Sequence, residues 1–160
     1  MQQTSSQTSE AKTRRAVLAS GAGLGAWVIL GTSAFAASDD LAAAISSYAG
    51  GAAVREGRVK FEIAELVDNG NVVPITVTVD SPMTADNYVR AIAVFNEKNP
   101  QRDVVKFTLG ARAGKASVTT RIRLATTQKL VAVAQLSDGS FWSHTVDVIV
   151  TLVACIEGET

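Results

Sequence analysis

The chain of 160 residues contains one cysteine and one histidine. Cys155 is followed by only five residues, Ile156-Glu-Gly-Glu-Thr160. A thiolate is a nucleophile, but a free cysteine has a pKa of about 8.5, so only a few per cent is ionised at neutral pH. No Lys, Arg or His lies within ten residues of Cys155, and Glu157 and Glu159 disfavour the anion. Such a thiol is a handle that other molecules activate, not a catalyst in its own right. A lone cysteine also cannot close an internal disulfide; in an exported protein it is an intermolecular pairing point or a reactive thiol. It can equally finish a strand as a small, buried, inert residue.

The remaining candidates for chemistry are sparse. His144 lies eleven positions before Cys155, roughly 36 Å along an extended chain, so it cannot be a local base for the thiol and is expected on a strand face. One His and one Cys do not make a multi-ligand metal site. Neither Asp39/Asp40 nor Glu62/Glu65 has the spacing of an acid–base pair. Arg121 and Arg123 share one strand face, either solvated or turned to an anionic partner. With no nucleophile–base set and no cofactor motif, the expectation is a non-enzyme without cofactor or metal.

Residues 1–15 are polar, with Lys12, Arg14 and Arg15 near their end, and Ala16 to Ser38 carries no charge. The uncharged run closes on Ala34-Phe35-Ala36, a small-x-small cleavage pattern. Thr13-Arg14-Arg15-Ala16-Val17-Leu18 resembles a twin-arginine export signal. We expect residues 1–36 to be a signal peptide and the mature protein to be periplasmic, off the membrane once the signal is cleaved; the alternative readings are an ordinary secretory signal with incidental arginines and a retained membrane anchor. Removing 1–36 takes Lys+Arg from 15 to 12 and Asp+Glu from 15 to 14, a mature net charge of −2. That balance lacks the basic face that nucleic acid requires.

The elements that must position the thiol follow. Ala37 to Ser47 reads as a short helix, with Ser38 as its cap and Asp39 and Asp40 in the first turn. Leu41, Ala44, Ile45 and Tyr48 make its apolar stripe, and Gly50-Gly51 stops it. From residue 58 the period becomes two. Val59-Phe61-Ile63, Val73 to Val79, Val105 to Leu109, and Val118 to Leu124 alternate as half-buried strands. Ala91 to Phe95 and Leu130 to Ala134 are apolar on both faces, as central strands are. Pro74 marks an edge position or a bulge. Ser137-Asp138-Gly139-Ser140 predicts a two-residue hairpin turn with positive φ at both central positions. The last strand, from Phe141 through Leu152, leads to Cys155. About seven strands with regular turn signals predict an immunoglobulin-like β-sandwich. The domain plan is a signal over 1–36, helix and linker over 37–57, sandwich over 58–153, and an arm over 154–160.

Three stretches carry a resemblance: residues 70–83 (GNVVPITVTVDSPM), 118–124 (VTTRIRL) and 131–142 (VAVAQLSDGSFW). They are similar to the corresponding segments of SoxY, the sulfur-carrier subunits of the periplasmic Sox thiosulfate-oxidation system. The resemblance covers most of residues 38–153. It implies an immunoglobulin-like body paired with a SoxZ-like subunit in a heterodimer. It also implies a C-terminal cysteine that visits SoxAX- and SoxB-like enzymes and bears the sulfur intermediate; here that residue is Cys155. The tail departs from the family's Gly-Gly-Cys-Gly-Gly. Cys155 is flanked by Val153-Ala154 and Ile156-Glu157, bulkier residues than the glycines that let a backbone enter a narrow channel. The competing expectation is an immunoglobulin-like partner-binding module in which Cys155 is inert.

Overall fold

A computed structural model describes residues 33–152. Among them are one α-helix, a single 3-10 turn (Ala111–Ala113) and nine strands. They are α1 (Ser33–Tyr48), β1 (Val54–Glu56), β2 (Val59–Glu62), β3 (Leu66–Asn69), β4 (Val73–Val79), β5 (Val89–Asn96), β6 (Asp103–Thr108), β7 (Ser117–Ile122), β8 (Gln128–Leu136) and β9 (Phe141–Leu152). The larger sheet runs β1-β9-β8-β5-β6, with β3 also on β9, and the smaller runs β2-β4-β7. The two pack face to face as an immunoglobulin-like sandwich. The seven strands anticipated from sequence are all present. The two additional ones, β1 and β3, are short and parallel to β9.

Period-two patterning decides which side chains meet between the sheets. Val73, Ile75, Val77 and Val79 of β4 are buried, with exposed or half-buried residues between them. They join Ile92, Val94, Leu130, Ala132, Ala134 and Val148 of the larger sheet in one apolar core. Six of these ten are fully buried aliphatics: Val77, Ile92, Val94, Leu130, Ala132 and Ala134 have no exposed surface. Burial of each large aliphatic is worth about 1.5–3 kcal/mol.

The other face of β5 and β8 is apolar for a separate reason. Ala93 and Phe95 of β5 and Val131 and Val133 of β8 meet Leu41, Ala44, Ile45, Tyr48 and Ala49 from the end of α1. The Tyr48 ring packs on Phe95 and Phe141 with centroids 5.5 and 5.9 Å away. The helix therefore forms a third layer, and both faces of the two central strands are dry.

Four expectations are corrected. The helix already includes Ser33, the first described residue, and does not start at Ala37, because Ser-Ala-Phe-Ala-Ala contains no breaker and alanine favours helix. Ser38 is thus inside it and does not cap it, and no acidic residue lies in its first turn. The segment taken as linker contains β1, whose three residues pair with Phe141, Trp142 and Ser143. At the hairpin only Gly139 has positive φ, at 82°, and Asp138 does not. The N–H of Gly139 donates to the carbonyl of Leu136, and Leu136 N–H to Ser140. That is a three-residue loop, a turn followed by a left-handed glycine, which is the next commonest hairpin after the two-residue forms. As for Pro74, β4 is central in its sheet, but β2 reaches only to Thr76, where Glu62 pairs. Position 74 therefore has a neighbour on one side only, and the missing N–H leaves no ladder bond unmade on the other.

Candidate functional site

The longest strand, β9, leads the chain to the cysteine. Its twelve residues pair antiparallel with β8 over Phe141–Val148. On its opposite edge β1 covers the beginning and β3 the end, where Asn69 pairs with Leu152. Cys155 and the arm over 154–160 lie outside the described residues. Cys155 follows Leu152 by three positions, a reach of about 10 Å from the last ladder pair.

The end of the sandwich from which β9 leaves is held by side chains that tie loops to one another. Thr127 Oγ1 accepts the N–H of Val150 at 3.0 Å, and Thr151 Oγ1 donates to the carbonyl of Asp68 at 3.3 Å. Leu124 N–H donates to Gly70 at 2.8 Å. Asn99 joins three elements. Its Nδ2 donates to the Arg123 carbonyl at 2.9 Å. Its Oδ1 accepts from Ala125 N–H at 3.0 Å and Gln128 Nε2 at 2.7 Å. Gln128 Oε1 then accepts Lys98 N–H at 2.9 Å. Asn96, fully buried, donates to the Gln101 carbonyl at 2.6 Å and accepts Asn99 N–H at 2.9 Å. Every polar atom of these amides that is buried has a partner, which makes the exit a stiff collar.

Nothing in the sequence around Asn99, Thr127 or Gln128 marks them as parts of one network. An Asn-Pro pair signals a turn; nothing local tells that the amide also reaches Gln128, twenty-nine positions on.

The other candidates divide cleanly. His144 Nδ1 accepts the N–H of Phe61 at 2.9 Å, so its acceptor nitrogen is used between sheets, eleven positions from the cysteine. Asp40 pairs with Arg102 at 3.2 Å and Glu62 with Lys60 at 2.7 Å, so neither acidic pair is an acid–base couple. Arg121 and Arg123 are exposed on β7 and at its end. They line a cleft of about 490 Å³ together with Asn99, Gln101, Asp103 and Val105. Among the described residues no three His, Cys, Asp or Glu side chains cluster to hold a metal. Two ionisations are displaced. Burial pushes the Tyr48 phenol up. Hydrogen bonds from the Ser140 side chain and backbone hold Asp138 below the usual carboxylate value, with Arg58 adding to the effect. Both lie away from the exit. The described residues therefore form a stiff end of the sandwich at which β9 finishes, with no catalytic set among them.

Residues 45–155 match the family described as "Sulfur oxidation protein SoxY". The sulfur carrier protein SoxY from Chlorobium limicola f thiosulfatophilum is similar in structure. Its TM-score is 0.61 and its identity 28%, over 72% of this chain and 99% of that one. A superoxide reductase (neelaredoxin) from Ignicoccus hospitalis shares the fold with TM-score 0.53 and 19% identity, over 59% of this chain and 80% of that one. A putative superoxide reductase from Thermotoga maritima does so with TM-score 0.52 and 21% identity, over 61% and 87%. No curated protein matches.

Proposed function

The chain belongs to the SoxY family of sulfur oxidation proteins, and from that premise we propose that it carries sulfur intermediates covalently on Cys155, in the periplasm, beside a SoxZ-like subunit. Family and fold make it a carrier in sulfur oxidation. The observation that supports the thiol as the attachment point is the course of β9. It is clamped to β3 and Thr127 up to Leu152, and the chain's sole cysteine follows three residues later.

The chemistry needs two steps, both performed by other proteins. In loading, the thiol and thiosulfate form an S–S bond, Cys155 gives up a proton, and two electrons pass to the loading enzyme. The product is the S-thiosulfonate. In the second step water attacks the terminal sulfur of that group, releasing hydrogen sulfate and leaving the persulfide on Cys155. Among the described residues the imidazole of His144 is engaged with Phe61, so the base for each step comes from the enzyme that performs it. A SoxAX-like enzyme for loading and a SoxB-like enzyme for hydrolysis fit these two requirements. The protein is their substrate and not an enzyme itself. The twin-arginine-like leader supports delivery of a folded chain, together with its partner, to the periplasm.

Mass spectrometry of the protein purified from thiosulfate-grown cells tests this. The expected result is a thiosulfonate or added sulfur localised to Cys155 and abolished by Cys155→Ser. A thiol that stays unmodified and alkylates slowly in the folded protein, as the bulky flanks Val153-Ala154 and Ile156-Glu157 would favour, gives the other reading: a partner-binding module with an inert cysteine.

A further inference from the structure

The cleft lined by Arg121 and Arg123 opens at the same end of the sandwich from which the arm leaves. Leu152 pairs with Asn69. Gly70, the next residue, accepts the N–H of Leu124, and Arg123 precedes Leu124 in sequence. Following that path, the Arg123 backbone is at most about 18 Å from Leu152. Beyond Leu152 the chain carries two charges, both negative, at Glu157 and Glu159. Five and seven residues of extended chain reach about 17 and 23 Å, enough to bring both carboxylates to the cleft.

The surfaces nearest the exit differ in what they accept. Across the outer face of β3 and β9, Leu66 and Ile149 form an exposed apolar pair. Glu65, Asp68 and Asp147 border it against one cation, Lys129, which pairs across from Asp147, all exposed, so this side is acidic on balance and less favourable to the tail. The cleft on the other side offers two guanidinium groups against the single carboxylate of Asp103. Among the described residues neither Arg121 nor Arg123 is in an ion pair.

We propose that the acidic end of the arm, Glu157 to Glu159, docks on Arg121 and Arg123, giving the thiol a resting position against the body between visits to its partners. The inference rests on Cys155 being the carrying residue. It also accounts for a departure from the family pattern, since charge has replaced glycine where a free swing would need none. Exposed ion pairs are individually weak and screened by salt, so the docked state is shallow and reversible. A carrier needs that property, because a partner must be able to lift the arm away.

The test uses the sole cysteine as an attachment point. A nitroxide on Cys155 broadens the amide NMR signals of nearby residues. At low salt the broadening is expected at Gln101, Arg121 and Arg123. It should fall about threefold to tenfold, the range that one or two exposed pairs supply, in Glu157→Gln/Glu159→Gln and at high salt. Arg121→Glu/Arg123→Glu should abolish it, and combining that change with Glu157→Lys/Glu159→Lys should restore it. Broadening confined to Gly70 and Thr127, or unaltered by any charge change, overturns the proposal. The label needs no sulfur cargo. Absent docking therefore leaves carriage standing, and an unloaded Cys155 in the mass spectrum leaves docking standing.

Discussion

His144 Nδ1 accepts the backbone N–H of Phe61 at 2.9 Å. Phe61 pairs with Val77 across β4 on its inner side, so β2 is the edge strand of its sheet. Between β1 and β3 the edge of β9 has no strand beside it. Within that interval the imidazole ties β9 to β2 of the other sheet. The chain's sole histidine is thus a fastener within the sandwich, and this bond requires Nδ1 to be free of a proton.

Replacing His144 by Ala leaves a part-buried amide without a partner, a loss of about 1–3 kcal/mol. Urea denaturation should show a lower midpoint of that size with an unchanged slope. Sulfur loading on Cys155, measured by mass spectrometry at a temperature where the variant is folded, should be unaltered. A loading defect in the folded variant would mean that His144 acts on the thiol.

Asn99 bonds to Arg123, Ala125 and Gln128. Asn99→Ala unties the collar at the arm's exit and orphans the Gln128 amide, at a cost of about 2 kcal/mol. Hydrogen exchange at Ala125 and Lys98 should accelerate well before exchange in β5, because local opening precedes global unfolding.

Tyr48 carries a buried hydroxyl with no hydrogen-bond partner among the described residues. Tyr48→Phe removes the unsatisfied group and keeps the ring contacts with Phe95 and Phe141, so thermal unfolding should occur at the same temperature or slightly higher. Tyr48→Ala, which empties the helix–sheet layer, should cost about 3–5 kcal/mol.

Asp138 is held below the usual carboxylate value first by the Ser140 side chain and then by its N–H. A depressed folded-state pKa means that the unfolded chain binds protons more readily. The stabilisation is therefore complete above the unfolded value near 3.8 and is lost as pH falls through the lower folded one. An NMR titration should show the Asp138 carboxyl titrating below free aspartate, and Ser140→Ala should return it toward that value.

The strands that the sequence made visible are those that bury a face along their own length. β4 shows it best, with every second residue from Val73 to Val79 buried. β5 and β8 were legible as central strands, but not the reason: one of their dry faces belongs to α1. β1 and β3 were not legible, since three and four residues are too few for a period and their pairing depends on β9, some eighty positions away. The turn at Asp138-Gly139 was placed correctly and typed wrongly, because dipeptide identity does not count the loop residues between ladder pairs. At the candidate site, counting singles out Cys155, which lies outside the described residues, whereas Thr127, Asn99 and Gln128 act through contacts that no short window contains.

The bracketing of β9 between β8 and the β1/β3 edge has a mechanical consequence. Inter-strand bonds lie across the strand direction. A pull along the axis of β9 therefore loads the ladder in shear, and its bonds must yield together instead of peeling one by one. Under the proposed carrier role, that geometry keeps the body intact through repeated engagement of the residues after Leu152.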